Sequence, residues 1–356
     1  MIDAAFAVPG NITLPTGGYA YARKIFELLP DYGVNVKRIE LSQTFPHPDN
    51  ATIAATSHIF AQLPPTMPVL VDGLAYGAMP PMLVDQIASP ITALVHHPLA
   101  YETGVAEADK RRFIAFETHA LKKAAKVIAN SQPTARLLMR EYGVLADKLT
   151  VAQPGTEAAP RATGSGSPYE LLAIGAVIPR KGYTVLIDAL SQMTCRDWRL
   201  TIVGATSHNP IYTNKVHEAI AQAGLYRQVE LTGAISDHDL QARFSKADVF
   251  VMPSLFEGYG MVLSEAVARG LPIVCSTGGA MAETVSDDIA IKVPPGDVQA
   301  LAKALDIILI DGALRKKLSD ASWAEARRLP SWNGCASVIS NVLKSLSKQT
   351  NLRVSV

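Results

Sequence analysis

Three cysteines in 356 residues, Cys195, Cys275 and Cys335, stand far apart and are odd in number. They fit neither a disulfide framework nor a zinc site and point to a reducing compartment. Excess charge is also missing: 33 Lys and Arg against 32 Asp and Glu leave a formal net charge of +1, which argues against a nucleic-acid partner. The longest apolar runs, such as Ile307–Ile310, are far too short to span a bilayer. The first ten residues have no basic segment ahead of an apolar one, so no signal peptide is read and a cytoplasmic location is expected. No solenoid repeat is present, and no D-x-D or other His/Asp/Glu cluster marks a metal site, so none is expected. What remains is 48% hydrophobic and 18% charged, an ordinary soluble α/β composition long enough for about two domains.

The most informative stretch is Ala247–Glu283. Val249–Met252 is a β-rich run ended by Pro253 and Ser254. Gly258 and Gly260 follow, then helix formers from Met261 to Arg269, a stop at Gly270 and Pro272, and a second apolar run at Ile273–Cys275. This predicts a βαβ unit whose glycine loop lies at the carboxyl end of its first strand, where open parallel sheets bind ligands. The first-turn N–H groups of Gly260, Met261 and Val262 would lack helical partners and carry the positive end of the dipole, which suits a phosphate. Glu257 before the helix and Glu265 in its second turn cannot both face that phosphate, and they suit sugar hydroxyls instead. One phosphate between two hydroxyl-binding acids describes a sugar nucleotide. The plainer alternative makes Glu257 a partner of the helix dipole and leaves Glu265 in water.

Glu257-x7-Glu265 within E-G-Y-G-M-V-L-S-E-A, followed by G-L-P-I-V and G-G-A-M-A-E, resembles the retaining GT-B glycosyltransferases of family four, the glycosyl transferases group 1. The likeness is strong over Leu171–Glu283 and weaker over the first half. It implies an α/β GT-B architecture: two Rossmann-like doubly wound domains facing a central cleft, with a C-terminal helix crossing back to the first. The implied domains are 1–160 on the acceptor side, 168–330 for the nucleotide sugar, and 331–356 packing back, with Trp332–Leu346 as the returning helix. The resemblance puts Glu257 by the donor sugar and Glu265 by the ribose hydroxyls. The loop Gly258, Tyr259, Gly260, Met261 and Val262 would touch sugar and phosphate.

Taken in order, the first half reads as strands at Ala4–Val8, Val34–Ile39, Val69–Asp72, Ile91–Val95, Val127–Ala129 and Leu149–Ala152. A long helix after Glu107 is expected to turn Phe113, Phe116, Ala120 and Leu121 inward. Asn130-Ser131 caps a helix over Pro133–Tyr142. Glu157–Pro168 has linker composition. Beyond it, strands are expected at Leu171–Ile174, Leu200–Val203 and Val229–Leu231, with helices near Tyr183–Gln192, Asn214–Ala223 and Asp237–Ser245. Strands alternating with helices on both sides of the linker predict two parallel sheets.

Other positions carry chemistry. Arg180 and Lys181 join the second domain's first strand to its first helix, where two cations suit a departing diphosphate. The commonest family pattern has an arginine where this chain has Ala176, so Lys181 is the firmer correspondence, with Arg180 supplying the second charge. Gly17 and Gly18 open the first helix, as a plain turn or, by resemblance, as donor-diphosphate ligands. His96 and His97 end a strand and are either structural or, by resemblance, donor-sugar ligands, with His96 favoured and Glu102 nearby. Gly233, Ala234 and Ile235 resemble the backbone that meets the nucleotide base. Gly278, Gly279 and Glu283 read as structural. Arg111, Arg112, Lys122, Lys123 and Lys126 form a basic region, read first as a solvated face, with peripheral contact to anionic membrane left open.

The function expected is retaining, metal-independent and cofactor-free transfer of a hexose from a UDP-, GDP- or ADP-sugar to an acceptor hydroxyl on a glycan, lipid or small molecule. His96, Arg180, Lys181 and Glu257 are the catalytic candidates. The alternatives are a sugar-nucleotide epimerase and a non-catalytic sugar-nucleotide-binding protein.

Overall fold

The computed structural model describes the backbone of residues 1–354 and the side chains of residues 1–348; residues 355–356 of the expected C-terminal segment lie outside the described residues. The chain divides into unit 1, Met1–Gly155 with Pro330–Val356, and unit 2, Thr156–Leu329.

Unit 1 runs β1 (Ile2–Pro9), α1 (Gly17–Leu28), β2 (Val34–Leu41), α2 (Asn50–Ala61), β3 (Val69–Asp72), α3 (Gly73–Tyr76), α4 (Pro81–Gln86), β4 (Ile91–Val95), α5 (Glu107–Lys123), β5 (Lys126–Ala129), α6 (Gln132–Tyr142) and β6 (Leu149–Val151). Its six strands lie in the order β2-β1-β3-β4-β5-β6, all parallel. β3 and β4 are buried along their whole length, which is why they read as nearly continuous apolar runs, interrupted by Thr92 and ended by Asp72, rather than alternating ones. On α5 the inward face differs from expectation: Phe113, Ala120 and Leu121 are buried, but Glu117 takes the place foreseen for Phe116, which is half-exposed. Glu117 Oε2 accepts from Leu99 N at 3.1 Å, and burial pushes its carboxyl up to about 8.

Unit 2 runs β7 (Tyr169–Ile174), α7 (Tyr183–Gln192), β8 (Trp198–Val203), α8 (Pro210–Gln222), β9 (Val229–Gly233), α9 (Asp237–Lys246), β10 (Val249–Met252), α10 (Met261–Val267), β11 (Ile273–Ser276), α11 (Met281–Thr284), β12 (Ala290–Val293), α12 (Val298–Ile310) and α13 (Gly312–Glu325). The parallel sheet has the order β12-β11-β10-β7-β8-β9. Its side chains alternate between two cores. Leu171, Ala173, Val249, Val251 and Val274 join one with α7 and α12, while Leu172, Phe250, Met252, Ile273 and Cys275 join the other with α10. Each fully buried Val, Leu, Ile, Phe or Met side chain among these is worth about 1.5–3 kcal/mol. The Glu157–Pro168 stretch has no regular structure, yet it is tied to unit 2. Ala162 N donates to Arg269 O and Thr163 N to Ser245 O, both at 2.9 Å, and Ser165 Oγ donates to Asp248 Oδ2 at 2.8 Å.

The last helix, α14 (Trp332–Val354), belongs to unit 1 and packs on α1. Trp332 meets Tyr21 edge-on, with ring centroids 5.6 Å apart, and the Cys335 thiol donates to the Tyr21 hydroxyl at 3.0 Å. Gly155 lies so close to this helix that a Cβ there would stand 2.0 Å from Trp332 N.

Candidate functional site

In unit 2 the strand order reverses between β7 and β10, the place where an open α/β sheet leaves a crevice at its carboxyl edge. The loop after β7 tightens into a short turn, Pro179–Lys181, ended by Gly182 at φ +68°. A Cβ on Gly182 would sit 2.3 Å from the Pro253 carbonyl, so glycine is what lets this loop close on the end of β10. Leu255 N then donates to Arg180 O at 2.7 Å. The two loops deliver their charges to one point. Lys181 Nζ lies 2.7 Å from Glu257 Oε1, and Arg180 Nη1 lies 2.9 Å from Glu257 Oε2 and donates to Phe256 O at 2.9 Å.

Glu257 is 7% exposed. Burial by itself would push its carboxyl up, but Arg180 and Lys181 reverse that and hold it at about 2. The carboxylate therefore bridges two cations and does more than complement a helix dipole. Its backbone is braced by the glycine turn behind it: Ala280 N donates to Glu257 O at 2.8 Å, and a Cβ on Gly279 would meet that oxygen at 2.2 Å. Gly278 and Gly279 are structural, and what they support is the Glu257 loop.

α10 starts from Gly260, in the left-handed region at φ +88°, with no side chain capping the first turn. Tyr259 is buried: its hydroxyl accepts from Ser264 Oγ at 3.2 Å and its carbonyl from Thr284 Oγ1 at 2.6 Å. Gly258 precedes it in the same buried loop, while Met261 and Val262 are half-exposed. Glu265 keeps part of its side chain open to solvent, yet desolvation pushes its carboxyl up to about 7. Arg269 opposes that shift and Asp237 adds to it.

Beside the charged triad the carboxyl edge is built of glycine. A Cβ on Gly175 would lie 2.7 Å from Lys181 Cε, and one on Gly204 would lie 2.0 Å from Gly175 O. Gly204 N donates in turn to Gly233 O at 3.0 Å. Gly175, Gly204 and Gly233 thus form a shelf over the ends of β7, β8 and β9, leading from Lys181 to Ala234 and Ile235. Ile235 packs on the same core as Val262. Gly204 belongs to no motif read from the sequence; its one signal is a glycine ending the apolar run Leu200–Val203.

In unit 1 the order reverses between β1 and β3. Thr16 caps α1 by accepting from Tyr19 N at 3.3 Å, which puts Gly17 and Gly18 in the first helical turn, not in a plain turn. A Cβ on Gly18 would stand 3.7 Å from the His96 ring. His96 lies 3.5 Å from Asp72, Nε2 to Oδ2, with its ring 5.2 Å from that of Tyr21. His97 sits apart from this group, 3.4 Å from Glu102, whose other oxygen accepts from Thr103 N. Asp72 ends β3 and carries no motif of its own. On α5, Arg112 pairs with Asp109 at 2.8 Å and Lys123 with Asp85 at 2.8 Å. Among the described residues no helix is long and apolar enough to cross a membrane, and none of their His, Cys, Asp and Glu side chains form a group of three placed to hold a metal ion.

Residues 156–323, nearly the whole of unit 2, match the family model described as glycosyl transferases group 1. Over those residues unit 2 is similar to that family. Among curated relatives, the MMP alpha-(1->4)-mannosyltransferase of Mycolicibacterium hassiacum is 27% identical over 274 residues, 71% of this chain and 64% of that protein. The chain thus spans less than two thirds of that relative's length. Among solved structures, sucrose-phosphate synthase from Thermosynechococcus elongatus superposes with a TM-score of 0.82 at 20% identity, over 98% of this chain and 100% of that one. Anabaena HepE in complex with UDP and glucose gives 0.75 at 17% identity, over 97% and 100%. At these identities the likeness shows the fold, which is GT-B.

Proposed function

We propose that this chain is a retaining glycosyltransferase that moves a hexose from a nucleoside-diphosphate sugar to an acceptor hydroxyl without a metal ion. The observation that carries the reading is the Arg180–Lys181–Glu257 cluster at the strand-order reversal of a group 1 unit. Two cations set beside a glycine shelf suit a diphosphate, and Arg can meet two phosphate oxygens at once. The mannosyltransferase named above supports transfer of a hexose, and the HepE complex with UDP and glucose supports a nucleotide-sugar donor.

In this reading the diphosphate binds to Arg180, Lys181 and the first-turn amides at Gly260, Met261 and Val262. The base lies along Gly233, Ala234 and Ile235, and the ribose hydroxyls meet Glu265. Glu257, positioned by its two cations, accepts from a hydroxyl of the transferred sugar. In unit 1, by itself, Gly17, Gly18, His96 and His97 are read as substrate-binding residues, the glycines for phosphate and the histidines for hydroxyls. The C1–O bond to phosphate breaks with its electron pair going to the leaving oxygen. The acceptor oxygen bonds to C1 on the same face, and its proton passes to the departing phosphate. Fixed positive charge next to a developing phosphate anion is electrostatic preorganisation, the term that commonly contributes most.

A thermal-shift screen against UDP-, GDP- and ADP-sugars identifies the donor, because a ligand of the native state raises the apparent melting point. NMR of the purified chain with that donor then separates the outcomes. Transfer or slow hydrolysis with retained anomeric configuration is expected. Isomerisation of donor incubated alone would mean an epimerase, and binding with no turnover would mean a non-catalytic protein.

A further inference from the structure

The wall behind His96 holds a buried carboxylate for which the proposed reaction has no use. Asp72 ends β3 and is 4% exposed. Its Oδ1 is fixed by accepting from Leu74 N at 2.8 Å, as cap of α3, so the carboxylate cannot swing freely. Its Oδ2 points to His96 Nε2 at 3.5 Å. That ring nitrogen is buried and has no hydrogen-bond partner among the described residues. The ring's freedom is restricted on its other sides: Tyr21 stands edge-on at 5.2 Å with an interplanar angle of 78°, and Gly18 passes close enough that a Cβ would reach the ring at 3.7 Å. Tyr21 is itself anchored, its hydroxyl donating to Ala152 O at 3.1 Å and accepting from the Cys335 thiol at 3.0 Å.

A neutral imidazole carries its proton on one nitrogen and a lone pair on the other, and the neighbour of one decides what the other can do. A carboxylate accepts but cannot donate. We propose that Asp72 is a positioning residue that holds His96 as the Nε2–H tautomer, leaving Nδ1 as a lone-pair acceptor for a ligand hydroxyl. A separation of 3.5 Å is longer than a closed hydrogen bond, and contacts of this kind commonly tighten when ligand binds. The functional half of the inference rests on the proposed reading of His96 as a ligand of a substrate hydroxyl; the tautomer itself does not.

The test is 15N NMR of histidine-labelled protein at about pH 8, where an unperturbed imidazole is neutral, with the His96 signals assigned by their loss in His96→Gln. Wild type should show the Nε2–H pattern. Asp72→Asn keeps the cap, because Asn also accepts from a first-turn amide, but turns an amide donor toward Nε2 and should invert the pattern to Nδ1–H. Transfer by that variant should fall at least tenfold in kcat while its unfolding midpoint stays within about 5 °C, since a wrong tautomer in otherwise intact geometry is costly. A wild-type spectrum dominated by Nδ1–H overturns the proposal, and so does an unchanged pattern in Asp72→Asn. If the variant does not fold, the wild-type spectrum decides by itself. An inverted pattern with full transfer overturns the link to catalysis. Wild-type protein inactive with every donor counts against the glycosyltransferase reading while the spectra still decide the tautomer.

Discussion

The carboxyl edges of the two sheets use the same architectural opening and fill it differently. In unit 2 the strand-order reversal gathers two cations and one carboxylate in hydrogen-bonding contact, beside a shelf of three glycines. In unit 1 it gathers an imidazole, a carboxylate and the glycine-started helix α1, with no full cation within the group. In the proposed reading the first edge neutralises concentrated negative charge and the second exchanges hydrogen bonds with hydroxyls. A parallel sheet fixes where a ligand goes, and the loop residues fix what it is.

Several substitutions would break or sharpen that contrast. Lys181→Ala should lower turnover by about 10²-fold or more, through loss of charge on the leaving phosphate, whereas His97→Ala should cost far less. Kinetics of Lys181→Ala matching wild type would falsify the charge assignment on the unit 2 edge. The next effect is on stability. Glu257 is held at about 2, below the 4.5 of an unperturbed glutamate. A depressed folded-state value contributes stability that is present above 4.5 and lost as pH falls toward 2, here about 3 kcal/mol. Glu257→Gln should therefore unfold more easily near pH 7 and lose most of that difference by pH 2–3 in urea titrations.

Glu117 in unit 1 has the opposite sign. Its carboxyl is raised to about 8, so the folded state binds a proton that the unfolded state gives up above about 4.5. Wild-type stability should fall as pH rises from 5 to 8, and Glu117→Gln should remove that slope, gaining roughly 4 kcal/mol at pH 8. A flat wild-type profile would argue against a buried, protonated Glu117. The smallest effect concerns Glu265, raised to about 7. Accepting ribose hydroxyls favours its ionised form, so binding should release a proton and affinity for a nucleoside diphosphate should climb a few-fold between about pH 6 and 8. Calorimetry in buffers of different ionisation heat reads that proton, and Glu265→Gln should abolish it.

Much of the scaffold was legible because its strands are short, continuous apolar runs with abrupt ends. Val69–Asp72, Ile91–Val95, Val249–Met252 and the helix Tyr183–Gln192 have the expected bounds. α2 was missed because its inward face is Thr52, Thr56 and Phe60, two hydroxyl residues where the pattern looks for aliphatic ones. β12 is four residues long and holds two β-formers, Ile291 and Val293, with Lys292 between them. Glu117 could not be foreseen, since a carboxylate is the last residue expected in a core; Phe116 next to it made the better guess. At the site, the motif residues drew attention one by one. That Glu257 would bridge Arg180 and Lys181, 76 and more residues away in sequence, depends on strand order, which single-residue spacing does not carry.

Gly155 and Trp332 touch, yet unit 2 in its entirety is threaded between them. Topologically, unit 2 is a very long excursion whose two stumps are already side by side. Excising it and ligating the stumps through a few residues would ask unit 1 to span almost no gap, and a gene so shortened should still encode a folded sheet capped by its terminal helix.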